Sequence, residues 1–233
     1  MIRHLPAAMR AAFPYTIPVM TGFAFLGIAY GILMSDIGFG VPWIALVSFI
    51  VFAGALQFVA IGMLTSAFDP IYVFLIAIAI NARHLFYGIA MVEKLQNVGK
   101  VKPYIIFAMC DETFSILVST EPPPKVDRNA FMFAVAFMHQ AYWIIGGIIG
   151  GLIGPLLAFN TAGIDFVMTA FFVVVFLNTW MSNKKHTPAL IGLTAGVVSL
   201  LIFGPGHFII PAMGLIIIAL TVFRKRLEKG GIE

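Results

Sequence analysis

Charge is what this chain has least of, and that scarcity decides its class. Of 233 residues, 14 are Lys or Arg and 10 are Asp or Glu, a charged share of 10%, whereas a soluble domain carries about 25%. So few charges cannot cover a core of this size in water, and a water-soluble globular domain is excluded. The single cysteine, Cys110, excludes an internal disulfide. His-Glu-x-x-His, Gly-x-Ser-x-Gly, phosphate-loop and Cys-x-x-Cys spacings are all missing. The five histidines are scattered over different segments, without a carboxylate spacing suited to zinc. Nothing therefore asks for an enzyme, a metal or a cofactor. The net charge of +4 does not signal nucleic acid either, because no aromatic-interleaved basic surface accompanies it.

What the chain has in abundance is apolar length. Hydrophobic residues make up 61%, and mean hydropathy is +1.02. Uncharged stretches recur at the roughly 17–25 residues that span hydrocarbon: 12–34, 41–65, 70–92, 103–119, 130–156, 162–182, 188–203 and 206–223. The expected fold is all-α, a polytopic membrane helix bundle of about seven to eight spans forming one transmembrane domain over 1–233. The first stretch runs past Met34 without an Ala-x-Ala-like end, so it reads as a retained helix and not a signal peptide. Basic residues gather at segment ends: Arg3 and Arg10; Lys94, Lys100 and Lys102; Lys184 and Lys185; and Arg224 to Lys229. By the positive-inside rule both termini face the cytoplasm. Eight spans place Lys184 and Lys185 inside as well, but leave the 93–102 loop outside, which suggests a re-entrant or broken segment. The polar stretch Glu121-Pro-Pro-Pro-Lys125-Val-Asp127-Arg128 stops one helix and spaces the next.

A weak internal echo links Ile61-Gly-Met-Leu-Thr65 with Ile191-Gly-Leu-Thr194, and Asn81-Ala-Arg83-His84-Leu-Phe with Gly204-Pro-Gly-His207-Phe. Paired broken segments in two halves point to a transporter's site; chance likeness between apolar segments is the competing explanation.

The candidate chemistry sits where water should be absent. Between residue 11 and Asn81 the only charges are Asp36 and Asp69. Then come Asn81, Arg83 and His84 at the end of an apolar run, and ionisable groups at that depth mark substrate or ion paths. Read as one helix, Asn81, His84 and Gly88 share a face. Arg83 either holds a carboxylate or a buried acid, or snorkels to the headgroups. In the next segment Asp111 and Glu112 lie near the middle, and Ala108, Asp111, Glu112, Ser115 and Ser119 share an arc of about 100° on a continuous helix. A carboxyl held between burial and a neighbouring cation can take up and release a proton during transport; a purely structural ion pair with Arg83 is the alternative. Gln57, between Gly54 and Gly62, either bonds substrate or glues two helices. His139, Trp143, Gly146, Gly150 and Gly154 form a stripe suited to close helix packing, and His139 reads as structural. Asp165 reads as a helix cap.

Gly54-Ala-Leu-Gln57-Phe58, Asn81-Ala-Arg83-His84-Leu-Phe-Tyr-Gly88, Asp111-Glu112-Thr-Phe114 and Gly163-Ile-Asp165-Phe166 together resemble the AzlC family, the YgaZ-like proteins. The resemblance is clearest from about Phe13 to Trp180 and looser beyond, leaving any role for His207 open. It implies the large subunit of a bacterial branched-chain amino acid exporter. Such a protein is a multi-pass resident of the inner membrane that works with a small AzlD-like membrane subunit to export valine, leucine, isoleucine and sometimes methionine. A zwitterion needs an acid for its ammonium and a cation or helix N-terminus for its carboxylate, and Asp111, Glu112 and Arg83 supply those types. Gln57, Asn81, His84 and Ser115 are the expected polar lining, and the glycine stripe is a plausible docking face for the small subunit. An uncoupled channel and a non-transport assembly scaffold remain the other readings.

Overall fold

The computed structural model describes residues 5–67, 69–157, 163, 166–182, 186–204 and 208–229. All regular structure among them is helical. The expected roles of Asp165, Lys184, Lys185 and His207, and the expected break at Pro205-Gly206, lie outside the described residues.

The helices are α1 (Leu5–Asp36), α2 (Val41–Ile50), α3 (Gly54–Leu64), α4 (Pro70–Asn81), α5 (Arg83–Met91), α6 (Lys102–Phe107), α7 (Asp111–Ser119), α8 (Arg128–Ile153), α9 (Phe166–Ser182), α10 (Thr187–Phe203) and α11 (Ile209–Lys229). By length and composition, α1 and α8 with its short continuation to Leu156 can each cross a bilayer unaided. The chain falls into two compact units: Met1–Phe68 with Asn81–Met168, and Asp69–Ile80 with Thr169–Glu233.

The first unit is built on α1 against α8. Glycines make this possible, because without side chains two backbones approach closely. A Cβ placed on Gly31 would overlap the Gly147 carbonyl oxygen, and one on Gly150 would overlap that of Ile28. On Gly27 it would stand 2.9 Å from the Trp143 carbonyl oxygen. This corrects the expectation of a docking face: Gly146 and Gly150 are covered by α1 of the same chain, while Ile44 and Ser48 of α2 meet Gly147 and Gly151. Around one end, Ala8, Ala12, Leu95, Val98, Val101, Ile105, Ala130 and Phe131 form a continuous buried cluster. The 93–102 stretch is thus anchored by apolar side chains and is no plain solvated loop. Asp127 caps α8, its Oδ1 accepting from the Ala130 amide at 2.8 Å.

Three expected spans are interrupted. The 41–65 span breaks at Val51–Ala53, the 70–92 span at Ala82, and the 103–119 span at Ala108–Cys110. The continuous-helix faces proposed for Asn81–Gly88 and for Ala108–Ser119 are therefore corrected. Ala108 lies buried in a break, and Asp111 and Glu112 open a new helix instead of sitting mid-helix.

In the second unit α10 and α11 pack through small residues, with Ala195 and Ser199 of α10 and Ala212 of α11 buried. Thr65 and Thr194 close the echoed segments alike: each hydroxyl donates to the carbonyls three and four residues back.

Candidate functional site

Breaking a helix frees backbone carbonyls and amides, and in hydrocarbon each must find a partner. In the first unit backbone and side-chain groups share this task.

At the first break Gln57, only 1% exposed, turns its amide back onto α2. Its Nε2 donates to the Val47 and Val51 carbonyls at 3.3 and 2.5 Å, and its Oε1 accepts from Trp143 Nε1 at 2.8 Å. Gln140 of α8 donates to the Phe49 carbonyl at 3.1 Å and accepts from the Tyr104 hydroxyl at 2.6 Å. Gly54 lies against the Trp143 ring, where a Cβ would stand 2.8 Å from it.

At Ala82 the Leu85 amide bonds the Ala82 carbonyl and not that of Asn81. The released Asn81 carbonyl meets His84 Nδ1 at 3.0 Å. His84 is thus engaged by the break itself.

The third break places two acids in the first turn of α7. A helix N-terminus carries partial positive charge and favours carboxylates there. Cys110 precedes α7 in extended conformation, and the Phe114 amide closes the first turn on its carbonyl at 2.8 Å. At the other end Lys94 Nζ donates to the Leu117 and Val118 carbonyls at 3.0 and 2.8 Å and pairs with Glu121 at 3.1 Å, capping the last turn of α7.

The second and third breaks meet at one ion pair. Arg83, first residue of α5, holds Asp111, first residue of α7, at 2.5 Å from Nη1 to Oδ2. Tyr87, one turn along α5, donates to Asp111 Oδ1 at 2.7 Å and stacks on Phe114 with centroids 4.5 Å apart. The pair is only partly covered, with side-chain exposures of 35% and 38%. Among the described residues, Arg83 Nε, a donor, and the Oδ1 of Asn81, two residues earlier, an acceptor, are buried and unpartnered. Glu112 follows Asp111 and interacts with the Cys110 thiol. Ser115 is exposed, one turn on from Asp111, and its carbonyl accepts from the Ser119 hydroxyl.

One face of α8 ties two breaks together. His139 Nδ1 meets Thr113 Oγ1 of α7 at 2.9 Å, and Trp143 holds Gln57 of α3. Four residues of helix rise about 6 Å, so the starts of α3 and α7 are pinned within about a turn of each other. Phe23 of α1 packs edge-on against both rings, at 5.8 and 5.5 Å.

Of the sequence-derived candidates, Arg83 and Asp111 are in direct contact, with Glu112 adjacent. Asn81 and His84 line the neighbouring break, and Gln57 is committed to α2 and α8. Tyr87, Thr113 and Cys110 were missed as participants, although all three lie inside or beside the motifs. Tyr87 follows Arg83 by four residues, the spacing that faces it to the same acid. Among the described residues no group of three or more His, Cys, Asp or Glu is placed to hold a metal ion.

The AzlC protein family model matches residues 18–157, which take in α2 to α8 with the greater part of α1. A Bacillus subtilis (strain 168) relative, named branched-chain amino acid transport protein AzlC, is 51% identical over 97% of this chain and 89% of its own length. A Haemophilus influenzae protein described as an uncharacterized membrane protein is 42% identical over 95% of this chain and 91% of its own. More distant is the Escherichia coli inner membrane protein YgaZ, 26% identical over 78% of each chain. No solved structure matches. With more than half its length matched by the family model and nearly all of it by the Bacillus relative, this membrane protein belongs to the AzlC family.

Proposed function

We propose that the chain is the large subunit of a secondary transporter that exports branched-chain amino acids across the bacterial inner membrane. Valine, leucine, isoleucine and methionine are the proposed substrates, proton entry the driving force, and a small AzlD-like membrane subunit the partner. The name of the Bacillus subtilis relative supports the substrate class.

The observation that carries the reading is the Arg83–Asp111–Tyr87 cluster at two helix breaks. Discontinuous helices place backbone dipoles beside substrate and ion sites in transporters. The unpartnered Arg83 Nε and Asn81 Oδ1 offer a donor and an acceptor, the pair an amino acid zwitterion requires. The substrate carboxylate competes with Asp111 for the guanidinium, and its ammonium takes an Asp111 oxygen and Asn81 Oδ1. Phe114, stacked on Tyr87, offers an apolar surface to the aliphatic side chain. A proton taken up by Asp111, or by Glu112 beside it, weakens the hold on the substrate ammonium and favours release, the exchange that export driven by proton entry requires. His84 and Gln57 keep the breaks open by occupying freed carbonyls, and Ser115 extends the polar face of α7.

The test is leucine efflux from proteoliposomes containing the full chain and the small subunit. An inward proton gradient should accelerate efflux and drive it against a leucine gradient. Efflux that runs only downhill, indifferent to pH, would instead identify an uncoupled pore; absence of any leucine binding would leave the scaffold reading.

A further inference from the structure

His139 has no part in the proposed substrate site, yet it is the least ordinary polar group in the first unit. It is 0% exposed, and its Nε2 has no partner among the described residues. An unmet buried donor or acceptor is costly, so a histidine used for packing alone would be poorly placed here. Its other nitrogen is not isolated. Nδ1 meets Thr113 Oγ1 at 2.9 Å, and that hydroxyl meets Cys110 Sγ at 3.1 Å. The thiol in turn interacts with the Glu112 carboxyl. Three side chains thus form a hydrogen-bonded line from the thiol to an imidazole on α8, and the acid that interacts with that thiol stands two residues along, in the first turn of α7.

We infer that Glu112, Cys110, Thr113 and His139 form a proton relay with the unpartnered Nε2 of His139 as its inner terminus. The inference rests on the proton-coupled reading above and adds the route. In one transfer the Glu112 carboxyl passes its proton to Sγ, the thiol passes its own to Thr113 Oγ1, and the hydroxyl passes its own to Nδ1. The imidazole then releases the Nε2 proton to a water or carboxylate beyond. Cys110, Thr113 and His139 each gain one proton and lose one, His139 ending as its other neutral tautomer, and only Glu112 is changed in charge, left as carboxylate. The line is short, and its members on α6–α7 and α8 are fixed by packing. Other groups facing the ring are Tyr142 of α8, at 6.4 Å between centroids with its hydroxyl on Thr16, and Phe23 of α1. Asp111 stands behind Glu112 and is held by Arg83. The relay thus starts one residue from the ion pair, so a proton lost from Glu112 changes the charge beside Arg83 and Asp111.

The experiment compares gradient-driven leucine efflux with leucine–leucine exchange in the same proteoliposomes, with both subunits present. Exchange needs no net proton movement, so the ratio isolates coupling. Thr113→Val keeps the shape and removes the link; Thr113→Ser restores it; His139→Gln removes the terminus. Relative to wild type, the ratio should fall at least tenfold in the valine and glutamine variants and recover in the serine variant. A Thr113→Val protein with the wild-type ratio overturns the relay while leaving the transporter reading intact. A wild-type protein whose efflux ignores pH overturns both. The wild-type chain offers a second measurement that needs no folded variant. Cys110 is the sole cysteine, so its S–H stretching band is unambiguous in infrared difference spectra. That band should shift as the acid beside it titrates, and a band unmoved across the titration contradicts the relay.

Discussion

Replacing Gln57 by leucine tests how the first break is held. The substitution keeps volume and apolar contact, and removes three hydrogen bonds. The Val47 and Val51 carbonyls would each keep one backbone donor, the Val51 amide at 2.8 Å and the Ala53 amide at 2.7 Å. Losing the side-chain donor therefore costs them about 0.5–1 kcal/mol each. Among the described residues Trp143 Nε1–H has no second acceptor, and it would be left buried and unmet at about 1–3 kcal/mol. The sum is about 2–5 kcal/mol. Trp143→Phe removes the other half of the same bond and strands Gln57 Oε1 instead. The double variant strands neither end, so it should be less destabilised than the sum of the singles, by about 1–2 kcal/mol. Unfolding by sodium dodecyl sulfate in mixed micelles, followed by far-ultraviolet circular dichroism, gives all four free energies. A Gln57→Leu protein as stable as wild type, or strictly additive variants, would refute the assignment of Gln57 to the break.

Other expectations follow from single contacts. Gly150→Val should abolish folded protein or cost about 3 kcal/mol or more, since the new side chain collides with the Ile28 backbone. Gly62→Val on α3, with open space around it, should be recovered at wild-type yield in detergent. Arg83→Gln should lower stability by about 1–2 kcal/mol, discounted for the partial exposure of the pair. Adding Asp111→Asn should restore stability but not leucine transport; recovery of both would make the pair structural. Tyr87→Phe keeps the stack on Phe114 and removes one bond to Asp111, so melting should shift by the equivalent of only about 1 kcal/mol while leucine affinity in equilibrium binding falls. An unchanged affinity would take Tyr87 out of the site.

How much of this was legible in sequence follows from where the polar groups are. The segments were readable because hydrocarbon demands long apolar runs, and α1, α8, α10 and α11 appear close to their expected bounds. The breaks were not. Val51–Ala53, Ala82 and Ala108–Cys110 contain neither glycine nor proline, so local propensity favours continuing the helix. At the first two breaks side chains bond carbonyls, Gln57 and, from 91 residues away, Gln140 at the first and the nearby His84 at the second. Such bonds, whether local or tertiary, leave no periodic signal in the sequence. The ion pair of Arg83 with Asp111 was foreseeable, since two opposite charges in an apolar chain must meet. The glycine stripe of α8 was correctly read as a packing face, but its occupant, α1, could not be named without the fold. His139 was read as structural because a lone histidine on an apolar helix gives no hint of Thr113.

The central claim is that the acids opening α7 do the work of transport. The most direct measurement is gradient-driven leucine efflux from proteoliposomes containing both subunits, comparing wild type with Asp111→Asn combined with Glu112→Gln. Both substitutions keep shape and hydrogen-bonding capacity and remove only the titrating charge. The account predicts that efflux falls by about tenfold or more, the loss expected when a charged partner is removed, in a protein that still folds and pairs with its partner. Efflux at the wild-type rate, still driven by the proton gradient, would contradict it.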